Sequence, residues 1–205
     1  MSELLKNIDE SIDCLLELSE ETFEVRPLRF YDFYCSAVLN KYVNLLRGFT
    51  GLMRDNNYIA AVPLVRVHFD LLLQLYASTL FSGSVDEFAK KIFKGRQIKN
   101  MKDRDGRLMR DRYLVKKLSN REGLGWALRL YDNQISGYTH YSDYVAELSV
   151  SSLFEEEKKA MPIILSEDGF ASDVEKLELS IKINKITENL VDFINSWKVQ
   201  RKEVS

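Results

Sequence analysis

The stretch from Tyr58 to Phe81 constrains this chain more than any other. It runs for 24 residues, and only Arg66, His68 and Asp70 within it carry or take up charge near neutral pH. A run of that length could cross a bilayer. Arg66 and Asp70 sit at its middle, however, where each costs about 2.5–3.5 kcal/mol to insert. A helix enclosed by others in a bundle explains the same pattern without that cost. The segment therefore predicts a central helix over about 58–81 and no membrane association. Pro63 lies inside it and removes the bond to the Ile59 carbonyl, which predicts a kink.

The rest of the chain fits around such a helix. With 3 prolines and 9 glycines in 205 residues, long stretches run with neither, which favours long helices over a many-turned β fold. Leu5, Ile8, Ile12, Leu15 and Leu16 form a stripe on a helix over 3–20. A second helix is expected over 27–54, with Pro27 in its first turn and Phe30, Phe33, Ala37, Leu45, Phe49 and Leu52 on its buried side. Asp55-Asn56-Asn57 reads as a turn and cap for the central helix, and Ser82-Gly83-Ser84 ends it. A short helix over 85–94, a glycine-punctuated loop over 95–107 and helices at 108–119 and 121–137 follow. Residues 143–150 alternate, and Met161-Pro162-Ile163-Ile164-Leu165 is a second short apolar run, which predicts a small β-hairpin. Ser172-x-x-Glu175 is a capping box for a last helix reaching about residue 199. Val174, Leu177, Ile181, Ile186, Leu190, Phe193, Ile194 and Trp197 continue its apolar face. The expected fold is mostly α: a single-domain helical bundle of six or seven helices over 1–205, with a small β-hairpin insertion near 143–165.

Several chemistries are set aside by what the chain lacks. Cys14 and Cys35 make no disulfide framework and read as small reduced core residues. Two histidines and two cysteines at unrelated spacings make no zinc site. There is no phosphate-binding G-x-x-x-x-G-K-[ST] loop, no G-x-G-x-x-G after a strand, and no paired E-x-x-H motif for a carboxylate metal site. No metal or cofactor is implied. Met1-Ser2-Glu3-Leu4 lacks the basic start and apolar run of a signal peptide, so a cytoplasmic location is expected.

Charge is segregated along the chain. Residues 90–121 hold thirteen Lys or Arg, among them Lys99, Lys102, Arg104, Arg107, Arg110 and Arg112, against three acids, a net of +10. The whole chain is −2, so the remainder is −12. Such a segment attracts phosphate backbones, because Lys and Arg displace condensed counterions. It could equally dock an acidic protein, including the acidic body of a second copy, or simply be a solvated face. Only Phe93 and Tyr113 are aromatic within it, which argues against a platform that stacks single-stranded bases.

Two polar constellations stand out. Arg66 and Asp70 are one helical turn apart and share a face, where each must be satisfied by the other or by a ligand. His68 lies on the opposite face and reads as a core histidine with one satisfied ring nitrogen. Further on, Ser136-Gly137-Tyr138-Thr139-His140-Tyr141 combines a helix-ending glycine with a serine and a histidine. If the helix continues, Asp132, Ser136 and His140 share a stripe with the residue types of a hydrolase triad. One straight helix cannot wrap three groups around a carbonyl, and there is no G-x-S-x-G elbow.

Asn57-Tyr58, Ala60-Ala61, Leu64, Arg66 and Asp70, followed by Ser136-Gly137-Tyr138-Thr139-His140, resemble the pattern of an uncharacterised bacterial family of helical domains. The resemblance covers about residues 40–140. It implies that Arg66, Asp70, Ser136 and His140 converge on one site. More remotely, the all-helical layout is similar to the HEPN superfamily, many of whose members are ribonucleases in toxin or defence systems. Their signature places an arginine ahead of a histidine with four to six residues between them. Here those positions hold Asn133, Gln134 and Ile135 before His140, and Ala61, Val62 and Pro63 before His68, so the standard ribonuclease site does not carry over.

Three functions follow as expectations. The chain is a helical interaction or regulatory module, of a defence or toxin-type system, docking a partner through residues 90–121. Alternatively it is an RNA-binding or RNA-cleaving effector using Arg66 and His140, with Asp70 and Ser136 in the same site. A small anionic ligand anchored by Arg66 between helices is the third. Association into a homo-oligomer is compatible with each.

Overall fold

The computed structural model describes residues 2–24, 26–132 and 173–203. Within them lie seven α-helices: α1 (Ser2–Glu24), α2 (Phe30–Arg54), α3 (Tyr58–Leu80), α4 (Val85–Phe93), α5 (Asp111–Ser119), α6 (Trp126–Leu130) and α7 (Asp173–Glu203). A 3-10 turn spans Ile98–Asn100. Among the described residues there is no strand, only isolated bridges pairing Phe81 with Asp103 and Lys102 with Leu108. The chain is a mostly α helical bundle. The hairpin expected at 143–165, the Ser136 to His140 turn and the Ser172 cap lie outside the described residues.

α3 is the central helix. Ala61, Val65, Phe69, Leu72 and Ala77 have no exposed surface, and α2, α4, α5 and α7 all pack on it. It is also the one helix among the described residues long and apolar enough to cross a membrane. Asn57 caps it by accepting the Ala60 amide at 3.2 Å.

α2 begins later than expected and turns a different face inward. Pro27 precedes the helix, joined to Arg26 by a cis peptide bond, and Arg29 is the residue before the first turn. The Arg29 amide donates to the Asp32 carboxylate at 2.7 Å. Phe30 and Phe33, expected in the core, are each 47% exposed, and Ala37 is exposed as well. The buried side instead carries Tyr31, Tyr34, Cys35, Val38, Tyr42, Leu46, Phe49 and Met53. The physical reason is that this helix is apolar over much of its circumference. Two of its three inward tyrosine hydroxyls find partners there: Tyr42 bonds Thr187 at 2.9 Å, and Tyr31 bonds Ser78, while the Tyr34 hydroxyl has none among the described residues.

Two further expectations are corrected. Cys14 is exposed, while Cys35 is buried as expected. On α7, Val174, Leu177 and Ile181 are exposed, and Leu179, Ile183, Ile186, Leu190, Ile194 and Trp197 are buried. The last helix thus seats from Leu179 onward, on α1 and α3.

That seat ends in a buried ion pair. Arg201 and Asp32 are 2% and 1% exposed. Asp32 accepts from Trp197 Nε1 at 2.8 Å and from Arg201 Nε at 3.3 Å, and Arg201 Nη2 also donates to the Pro27 carbonyl at 2.6 Å. Trp197 packs edge-on against Tyr31, 4.8 Å between centroids. The end of α7 is thereby locked to the start of α2.

Candidate functional site

Arg66 projects from α3 toward the start of α5 and the end of α6. Its Nε lies 2.9 Å from Asp70 Oδ1, and its Nη2 lies 3.5 Å from Asp111 Oδ2. Its guanidinium carbon sits 4.6 Å from the centroid of the Tyr131 ring, a cation–π contact. Burial disfavours the Arg66 charge, but the bonded Asp70 outweighs it and raises the pKa. Burial also pushes the Asp70 carboxyl up, aided by Asp111 and opposed by Arg66. The two shifts point opposite ways for the pair. Asp70 is 38% exposed and bonded at 2.9 Å, a geometry that keeps both groups ionised near neutral pH. The pair expected from spacing is present, at the edge of the core rather than inside it.

His68 points the other way and is fully buried. Its Nδ1 donates to the Leu64 carbonyl at 2.6 Å, and its ring meets Tyr42 edge-on at 4.7 Å. Nε2 has no hydrogen-bond partner among the described residues. Burial lowers its pKa to about 4, against the opposing Leu64 bond, so the ring is neutral.

The basic segment is tied down by its own few acids and apolar residues. Asp103 is 3% exposed. It accepts the Arg107 amide at 2.8 Å, the Asp105 amide at 3.0 Å and the Tyr113 hydroxyl. Burial opposes its ionisation, but these bonds prevail and hold its pKa below the ordinary carboxylate value. Met101 and Met109 are buried beneath the loop, and the Arg104 amide bonds the Leu80 carbonyl at the end of α3. The loop read from sequence is thus anchored along its length.

At the start of this segment, α4 ends in a turn that fixes a cation. Gly95 adopts φ 79°, a conformation that disfavours residues with a Cβ. The Gly95 amide bonds the Ile92 carbonyl at 2.8 Å, and the Arg96 amide bonds the Lys91 carbonyl at 2.9 Å. Arg96 then reaches the Asn100 carbonyl at 3.2 Å. Two clefts flank Arg96. The larger, about 630 Å³, is lined by Phe81, Ser82, Lys91, Lys94, Gly95, Arg96, Asn100, Met101 and Lys102. The smaller, about 410 Å³, is lined by Asp70, Leu73, Gln74, Ile92, Arg96, Gln97, Ile98, Lys99, Asp111 and Leu114.

The structure therefore brings Arg66 and Asp70 together, and Asp70 lines the smaller cleft along with Arg96 and Lys99. Ser136 and His140 lie outside the described residues. Of the other cations singled out from sequence, Lys102 lines the larger cleft, and Arg104, Arg107, Arg110 and Arg112 are exposed. Sequence reasoning missed Asp111 and Tyr131 as partners of Arg66, and Asp103 as the loop's anchor. It counted Lys91, Lys94 and Arg96 in the basic run without seeing that they share a cleft with Lys102. Gly95, set between Lys94 and Arg96, was the available signal. Among the described residues no cluster of His, Cys, Asp or Glu has a metal-holding arrangement.

Comparison of the chain with protein-family models, with curated proteins and with solved structures finds no match.

Proposed function

We propose that this chain is a non-catalytic interaction module that docks a polyanion, of the nucleic-acid type, on residues 90–121. One observation carries the reading. Of the thirteen cations in that stretch, only Lys117 has a carboxylate partner among the described residues, Asp105 at 3.3 Å. Four of the nearby acids are drawn elsewhere. Asp86 accepts the Tyr31 amide, Glu87 caps Ser84, Asp103 holds its own loop and Asp111 faces Arg66. Twelve cations in one stretch with no carboxylate partner among the described residues favour an external anion over an internal role.

A cleaving version of this reading would use Arg66 and His140. Arg66 is already committed to two carboxylates and a ring, which supports an architectural role, so binding without cleavage is the reading adopted. RNA offers the repeating charge that matches a long basic stretch, whereas an acidic protein presents a fixed and irregular one.

The test is a fluorescence anisotropy titration with a single-stranded RNA of roughly twenty nucleotides across a salt series. We expect binding whose logarithm falls linearly with log salt, at about −0.7 per phosphate neutralised. The variant Lys99→Gln/Arg104→Gln/Arg107→Gln should flatten that slope. No binding at about 50 mM salt would overturn the proposal.

A further inference from the structure

We infer that the larger cleft, between the end of α4 and the loop after α3, is a site for a terminal phosphate group. The group is a phosphate monoester or pyrophosphate, borne by the end of a nucleic-acid strand or by a free nucleotide. This deepens the proposed function, on which the strand-end form of it rests. Four cations line the cleft, Lys91, Lys94, Arg96 and Lys102, and no acid among the described residues does. None of the four has a carboxylate partner among the described residues.

Two of the charged heads are already restrained. Lys91 Nζ sits 4.6 Å from the centroid of the Phe81 ring, and Arg96 is held by the Asn100 carbonyl at 3.2 Å. Restrained donors lose less side-chain freedom when an anion arrives. The volume of about 630 Å³ suits a nucleotide-sized group. An internal phosphodiester carries a single charge and needs an open track along which the strand runs on in both directions. A terminal phosphate carries nearly two charges on one group and ends there. Four cations gathered in one concave space match the concentrated charge better than the dispersed one.

The experiment compares one roughly ten-nucleotide RNA in three forms: 5′-phosphorylated, 3′-phosphorylated and hydroxyl at both ends. The full chain is used, with pyrophosphate and a nucleoside monophosphate as separate ligands by calorimetry. We expect one phosphorylated form to bind about tenfold tighter than the hydroxyl form. The cleft variant Lys94→Gln/Arg96→Gln/Lys102→Gln should lose that preference. The loop variant Arg104→Gln/Arg107→Gln/Arg110→Gln should weaken all three forms by one common factor. Circular dichroism and melting confirm that both variants fold.

Equal binding of all three forms would overturn the strand-end form of the cleft assignment and leave the polyanion reading standing, and calorimetry then decides the free-ligand form. If no RNA binds, the polyanion reading fails, and calorimetry alone decides the cleft. Pyrophosphate or nucleotide binding that disappears in the cleft variant supports a free-ligand site, and no binding overturns it.

Discussion

Arg66 shows how one side chain can organise a junction. It ties α3 to the first turn of α5 through Asp111 and to the end of α6 through Tyr131, with Asp70 as its closest partner. Arg66→Ala should lower stability by about 1–3 kcal/mol in urea denaturation, with Asp70→Ala costing less because that carboxylate is partly solvated. Arg66→Lys should recover only part, since lysine has neither the planar fork nor the flat face. An unchanged denaturation midpoint in Arg66→Ala would show that the junction does not depend on it. His68 makes a second prediction. Its folded pKa of about 4 lies below the ordinary 6.5. The unfolded chain therefore takes up a proton as pH falls below about 6.5, and the native state does not until about 4. The neutral ring's contribution is complete above pH 6.5 and is lost by pH 4, a loss of about 3 kcal/mol. Denaturation at pH 7 and pH 4.5 should show this loss in the parent and a smaller one in His68→Leu; equal losses would refute it.

At the scale of elements, the lock between α2 and α7 and the turn after α4 behave differently. Asp32 serves four donors: the Arg29 amide, the Trp197 indole, and Nε and Nη2 of Arg201. Asp32→Ala leaves the Arg201 charge buried without its carboxylate and should cost about 3–5 kcal/mol. The double variant Asp32→Leu/Arg201→Met should lose much less than the two single changes summed, because it removes both charges together. Additive losses would show that the two residues act separately. The Gly95 turn is a smaller device. Gly95→Ala forces a Cβ into a left-handed conformation and should cost about 1 kcal/mol. It should also loosen Arg96, so phosphate-dependent binding should fall more than stability does. Ser84 and Glu87 cap α4 reciprocally, whereas Ser84 was expected only as part of the turn that ends α3.

The whole molecule sets a +10 stretch against a −12 remainder, and among the described residues one ion pair, Arg66–Asp111, joins the two. Like charges crowded without partners repel, and salt screens that repulsion. Melting temperature should therefore rise between about 20 and 200 mM salt while RNA affinity falls steeply over the same range. A melting temperature that falls with salt would mean that attractive pairs dominate the surface instead.

The sequence alone determined the helical class, the centrality of α3, the Arg66–Asp70 pair and the basic stretch. Each follows from local spacing: apolar periodicity, a one-turn separation, a density of charge. Tertiary structure decided which face of α2 turns inward, because a helix apolar on several sides carries no local sign of where Tyr31 and Tyr42 will find hydroxyl partners. It also decided that Asp32 meets Arg201 across 169 residues, that Asp103 turns inward to hold its loop, and that Lys91, Lys94, Arg96 and Lys102 share one cleft. Those contacts join residues that no periodicity relates, so only the folded chain brings them together.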